Sequence, residues 1–213
     1  VGALVGTQFA ALASSALKGL TTAQANVLNT DQVSSLTTVQ AGAFSGTQLG
    51  ALNTDAVTGL TTSVAKVLTS SQVAGFDTSD VAVLSSSQIS MLSTAAVKGI
   101  TTTQANVLNT DQVASLSTGL LSALSGTQLG ALNTDAVTGL TTAQTAILNS
   151  AQVGGFDTAD VKALSTSQIG ALSTAGVRGL NTADVKVAPP GDCVPSAETL
   201  DPGDDCAKGL SYA

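Results

Sequence analysis

A large apolar residue returns every eighth position, and the residues between keep the same order each time. Counted from that residue, the unit reads Leu, Ser/Thr/Asn/Asp, Thr/Ser, any, Gln/Asp, apolar, any, small or apolar. Its first position falls at Leu4, Leu12, Leu20 and on in steps of eight to Leu180, which makes 23 copies without insertion or deletion. A strict short period is the mark of a stacked, quasi-one-dimensional array, because each unit is too small to bury its own apolar face.

The polar positions predict one short helix per unit. Position 2 is Ser, Thr, Asn or Asp in 21 of the 23 copies, the exceptions being Val5 and Ala13. These are the residues whose side-chain oxygen accepts a free N–H of the first helical turn. With position 2 as N-cap, position 5 is N3, and it is Gln in thirteen copies and Asp at Asp80, Asp160 and Asp184. That pairing is a capping box, and the apolar positions 1 and 6 then stand at hydrophobic-staple spacing, as in Leu28 with Val33 or Phe76 with Val81. The acids of the repeat lie at positions 2, 4 or 5. The bases Lys18, Lys66, Lys98, Lys162, Arg178 and Lys186 all lie at position 7, which suits the helix dipole and predicts that position 7 faces solvent. The helix therefore runs from about position 3 to position 8. That is far below the roughly 12–15 residues an isolated helix needs, so stacking must stabilise it. The expected fold is an all-α solenoid of very short capped helices. The alternative is a β-solenoid, since Thr and Val favour strands, but the apolar positions do not keep a period of two.

A second period of forty overlies the first. The octads at Leu12, Leu52, Leu92, Leu132 and Leu172 have Ala16, Ala56, Ala96, Ala136 and Gly176 in place of Gln, and end in Gly19, Gly59, Gly99, Gly139 and Gly179. The octad that follows usually moves its bulk from position 6 to position 8, as in Ala25 with Val27 and Thr145 with Ile147. Ser45–Thr62 recurs unchanged at Ser125–Thr142. Five octads are expected to return the chain to an equivalent place in the solenoid over one turn or two, with every fifth octad facing something the others do not. The glycines are expected to give left-handed caps and close backbone approach.

Composition narrows function. The chain has 213 residues, 2% aromatics, no His and no Trp, so many small layers of Leu, Val and Ala must replace a conventional core. A net charge of −7 with seven scattered bases argues against nucleic acid. No apolar run is long enough for a membrane span, and no signal peptide is visible at Val1. Residues 1–187 form the repeat domain. Residues 188–213 form a Pro/Gly/Asp-rich tail that holds both cysteines, Cys193 and Cys206. A disulfide between them would close that loop in an oxidising compartment, and two unlinked thiols are the alternative. The tail acids Asp192, Glu198, Asp201, Asp204 and Asp205 permit a Ca²⁺ hypothesis without EF-hand spacing; no other cofactor or metal is expected.

The two ends differ. Val1–Ala16 is apolar and lacks its two caps, so Val1, Leu4, Phe9 and Leu12 are candidates for one assembly end. Ala188-Pro189-Pro190 ends the repeat, and Pro189, Pro190, Leu200 and Tyr212 are candidates for the other. Docking of one end on the other would make a head-to-tail homopolymer, and a tail folded over its own last repeat would make a monomer. Without His, and without a nucleophile elbow, phosphate loop or ligand cluster, no enzymatic activity is expected.

The string Leu108–Leu116 (LNTDQVASL) resembles octapeptide arrays in large secreted and surface adhesin-like proteins of Gram-negative bacteria. The resemblance covers Leu4–Val187 and implies an extracellular location and an adhesive or structural role. The absence of His argues against haem ligation. The helix start is also similar to that of plant-pathogen DNA-binding repeats, but their 34-residue period and basic charge are missing. The resulting expectation is a secreted structural protein, a subunit of an extracellular filament or surface fibre for attachment or matrix. A monomeric adhesin stalk is one alternative. An ice-binding protein using Thr rows at positions 2 and 3 is another.

Overall fold

The computed structural model describes residues 1–180. Twenty-two α-helices of four to six residues follow one another there, one per octad and numbered α1 to α22 in chain order, and no strand occurs among the described residues. Every helix begins at octad position 3. Position 2 is extended in each, with φ between −65° and −107°. Its side chain accepts the N3 N–H wherever it is polar, as Asn109 Oδ1 does from Gln112 at 2.9 Å. The Gln side chain closes the box in return, the Asn109 N–H donating to Gln112 Oε1 at 2.9 Å. In α1 (Gly6–Ala10) only this second half exists, because Val5 has no acceptor.

Each helix packs on the third helix along the chain. Thus α1 lies against α4 (Thr30–Ser34), α4 against α7 (Thr54–Thr58) and α7 against α10 (Thr78–Val83), with two further columns of the same kind beside them. Three octads, or 24 residues, therefore make one turn, and the described chain completes just over seven. At the usual 8–10 Å between packed helices the rod is on the order of 60 Å long. Positions 1 and 6 of successive turns, such as Leu28, Leu52, Val57 and Val81, fill one continuous core. Position 7 carries the described bases Lys18, Lys66, Lys98, Lys162 and Arg178 to the surface as expected.

The turn corrects the reading of the forty-residue period. Five octads are one and two-thirds turns, so α2 (Ser14–Lys18), α7, α12 (Thr94–Val97), α17 (Thr134–Thr138) and α22 (Thr174–Val177) are spread over all three columns and share no face. What they share is a stacking partner. Helix α7 rests on α4, α12 on α9 (Ser70–Val73), α17 on α14 (Thr110–Ser115) and α22 on α19 (Ser150–Val153), and these partners are themselves forty residues apart. The terminal glycine is required at that joint. A Cβ on Gly59, Gly99, Gly139 or Gly179 would lie 2.1–2.5 Å from the carbonyl oxygen of Thr30, Ser70, Thr110 or Ser150. Their backbone is not left-handed: Gly59 has φ −77° and ψ −8°. Close approach alone selects glycine here.

Candidate functional site

The groups that join one turn to the next are the candidate site. Position 5 is buried: Gln32, Gln40, Gln48, Gln72, Gln88, Gln104 and four later glutamines of the repeat are at most 7% exposed, and Gln128 is 9% exposed. While Oε1 closes the capping box, Nε2 reaches down into the preceding turn. Gln104 Nε2 donates to Val73 O at 2.8 Å and Phe76 O at 2.6 Å. Gln112 Nε2 does the same to Val81 O and Leu84 O at 2.9 and 2.7 Å. One amide thus satisfies the start of its own helix and the loose carbonyls at the end of the helix four before it, groups that would be costly to bury unpaired. In α7 and α17, which have Ala at position 5, the N-cap adds the second task to its own. Asn53 Oδ1 accepts from Ala56 N–H at 2.9 Å, and its Nδ2 donates to Asn26 O and Leu28 O at 2.7 and 2.6 Å. This second task was not anticipated from the sequence. Its signal is that Val64 and Leu120 stand where Gln usually does, which marks the position as interior.

Two joints carry an acid instead. Asp80 in α10 and Asp160 in α20 (Thr158–Ala163) are 1% and 2% exposed. Each accepts the N–H of its own N-cap residue, Asp77 or Asp157, at 3.2–3.3 Å. Neither has an N–H with which to serve the carbonyls below. Asp160 Oδ1 accepts from Thr134 Oγ1 at 3.0 Å, whereas Asp80 Oδ1 is buried without a partner. Burial pushes the Asp80 carboxyl up to about 6; the Asp77 N–H opposes this and the Asp77 charge adds to it. Asp160 is raised by the same cause. The turn also aligns acids 24 residues apart. Asp31, Asp55, Asp77 and Asp80 climb one column through α4, α7 and α10, and Asp111, Asp135, Asp157 and Asp160 climb another through α14, α17 and α20.

Among the described residues no turn lies beneath the first. Gln8, Ala16 and Gln24 are exposed where Gln32, Gln40 and Gln48 are buried, and Leu4, Leu12 and Leu20 are half-buried where Leu28, Leu36 and Phe44 are buried. Gln8 and Gln24 use Oε1 for capping, at 3.1 and 2.9 Å, and no described carbonyl lies under their Nε2. Of the other predicted end residues, Phe9 is wholly buried in the core. The Val1 carbonyl accepts from Gln32 Nε2 at 3.1 Å and so belongs to the joint with the second turn. Pro189, Pro190, Leu200, Tyr212, the cysteine pair Cys193 and Cys206, and the acidic tail proposed for Ca²⁺ lie outside the described residues. Among the described residues no group of three or more acids or cysteines converges as a metal site, and no helix is long and apolar enough to cross a membrane.

Comparison with known proteins finds the same unit. The chain is similar to the ALTTAQ repeat. The similarity covers residues 1–38, 89–118 and 153–187. The letters LTTAQ stand at Leu20–Gln24 and Leu140–Gln144, which run from the core residue at position 1 to the capping glutamine at position 5. The ALTTAQ unit is therefore the apolar knob, the N-cap and the interlayer amide in one string. No curated protein and no solved structure matches the chain. The match supports a repetitive structural protein.

Proposed function

We propose that this protein is a non-enzymatic subunit of a secreted extracellular filament or surface fibre, assembling head to tail, with a role in attachment or matrix. The observation that carries the reading is the joint repeated from turn to turn: each turn grips the one below with the same apolar residues and amides, so the same contact can be extended from one copy to the next. A head-to-tail contact that does not close gives a filament. The mechanism is mechanical: apolar ladders hold the rod, and capping amides fasten each turn to the next. The resemblance to surface-protein octapeptide arrays supports the extracellular placement.

An ice-binding role finds no support in the Thr rows. Position 2 hydroxyls are engaged in capping, as Thr37 Oγ1 is with the Gln40 N–H at 3.2 Å. Several position 3 hydroxyls bind the next turn, as Thr30 Oγ1 does Asp55 O at 3.0 Å.

Negative-stain microscopy of the purified full chain over rising concentration tests assembly. Rods much longer than the single-subunit length, growing with concentration, are expected. Monodisperse rods of one length at every concentration would contradict the proposal and favour a monomeric stalk.

A further inference from the structure

One joint in the middle of the rod brings acceptors together without a donor. Where position 5 is Gln, its Nε2 reaches the carbonyls 31 and 28 residues earlier, as Gln72 does to Ala41 O and Phe44 O, both at 2.9 Å. Counted back from Asp80, the same two places are Leu49 O and Leu52 O. Leu49 O accepts only the Leu52 N–H, at 3.1 Å, and Leu52 O receives no donor among the described residues. Both leucines are buried. Asp80 Oδ2 takes the capping role, accepting the Asp77 N–H at 3.2 Å. Asp80 Oδ1 is then the counterpart of Nε2, and it is buried without a partner. The duplicated joint at α20 gives its direction. There Asp160 Oδ2 accepts the Asp157 N–H at 3.3 Å, and Oδ1 meets Thr134 Oγ1 on α17 beneath at 3.0 Å. Thr54 holds the place of Thr134 under Asp80, in the identical stretch Ser45–Thr62, and does not donate to it. At Val64 and Leu120, which also lack the amide, a buried apolar side chain fills position 5. Asp80 instead turns a charge towards backbone oxygens.

We infer that the joint between α7 and α10 is a seat for a monovalent alkali cation, bound by Asp80 Oδ1, the carbonyl oxygens of Leu49 and Leu52, and the Thr54 hydroxyl. A buried carboxylate beside unpaired carbonyls is costly unless a positive charge lies between them. No neighbouring side chain supplies one. The charged residues of α10 and its N-cap are Asp80 and Asp77, α7 below carries Asp55, and α13 (Thr102–Asn106) above carries none. One carboxylate balances one monovalent charge, and the neutral oxygens complete the shell. Calcium usually takes about 6–8 oxygens, and among the described residues no group of three acids converges to help supply them. The cation does for this joint what the glutamine amide does for its neighbours. It requires neither assembly nor secretion of the rod.

Thermal melts of the full chain at pH 7.5, above the Asp80 carboxyl's value of about 6, provide the test. Choline chloride is replaced stepwise by sodium or potassium chloride at fixed ionic strength. In choline only a proton can relieve the carboxylate. Wild type is expected to gain about 3–5 °C, saturably, once sodium or potassium reaches about ten times its dissociation constant. Asp80→Asn keeps a capping oxygen and brings its own amide, so it should fold and lose the gain. Asp31→Asn, at an exposed acid of the same column, should keep it. Sodium NMR line broadening by wild type, absent with Asp80→Asn, gives a readout independent of stability. Melting temperatures equal in choline, sodium and potassium would overturn the proposal, as would a gain that Asp80→Asn retains. A gain from micromolar calcium chloride and from neither monovalent ion would overturn the monovalent assignment.

Discussion

Gly139→Ala is expected to break the rod at one joint, while the equivalent Gly19→Ala leaves the isolated subunit as stable as before or more so. The two glycines hold the same place in the forty-residue unit and have nearly the same backbone, φ −75° and −81°. They differ in what lies beneath. A Cβ at Gly139 would stand 2.5 Å from Thr110 O and 2.7 Å from the Thr110 side chain, and neither backbone can yield without lifting α17 off α14. Overpacking of this kind costs about 1–3 kcal/mol, and separation of the neighbouring Asn133 amide from Asn106 O and Leu108 O adds to it. In a protein of this length the result is a melting temperature lower by about 4–10 °C. Because each turn touches only its neighbours, unfolding is also expected to become two-stepped. At Gly19 the only change is the lower backbone entropy of the unfolded alanine chain, a gain of up to about 1 kcal/mol. Thermal melts followed by circular dichroism, at concentrations too low for assembly, measure both. Equal shifts for the two variants would mean that the glycines serve the helix end and not the joint.

Acidification is expected to stabilise the rod. Asp80 has a carboxyl at about 6 when folded and about 3.9 when unfolded, so below pH 6 the native state takes up its proton first. Stability therefore rises as the pH falls from about 7 towards 4, and the gain is complete once the unfolded chain is protonated too. Asp160 acts in the same direction. Among the described residues, the charged groups on the surrounding helices explain why no counterion prevents this. Asp77 is on α10 itself, Asp55 is on α7 below, and α13 (Thr102–Asn106) above is uncharged. For α20 they are its own Asp157 and the exposed Lys162, with Asp135 on α17. Protonation also gives the buried Asp80 Oδ1 the hydrogen that the glutamines of other joints supply. The expected effect of Asp80 is on the order of 2 kcal/mol. Leucine is already accommodated at the equivalent Leu120 in α15 (Thr118–Ala123). The double variant Asp80→Leu/Asp160→Leu should therefore melt above wild type at pH 7.5 and lose much of the pH dependence. A wild-type melting temperature that falls on going from pH 7.5 to 4.5 would contradict the account.

Much of this architecture was legible in the octad. The helix start at position 3, the capping side chains, the outward bases and the all-α class follow from residue types whose local chemistry acts within eight residues. The turn was not legible, for a physical reason. Every octad carries nearly the same knobs and amides, so the 24-residue step leaves little mark on the sequence, whereas the choice of stacking partner leaves a strong mark at forty. Only scattered residues betray the turn, such as Asp31 with Asp55 and Asp111 with Asp135, each pair 24 apart. The double role of glutamine was hidden because capping alone explained it. The exposure of Gln8 and Gln24 stands out only beside Gln32 and Gln48, their buried equivalents one turn on.

The number of octads per turn is most directly tested by distances between paired spin labels on solvent-facing position 7, with Cys193 and Cys206 replaced by serine. Thr58, Ala82 and Asn106 are exposed in one column, on α7, α10 and α13, and exposed Lys98 lies at the end of α12 in another. Labels at 58 and 82 should be one layer apart, about 9 Å between backbones, and labels at 58 and 106 about twice that. The pair at 58 and 98, forty residues apart, should be farther than the pair at 58 and 82. A forty-residue pair closer than the 24-residue pair would contradict three octads per turn, and with it the joints on which the whole account rests.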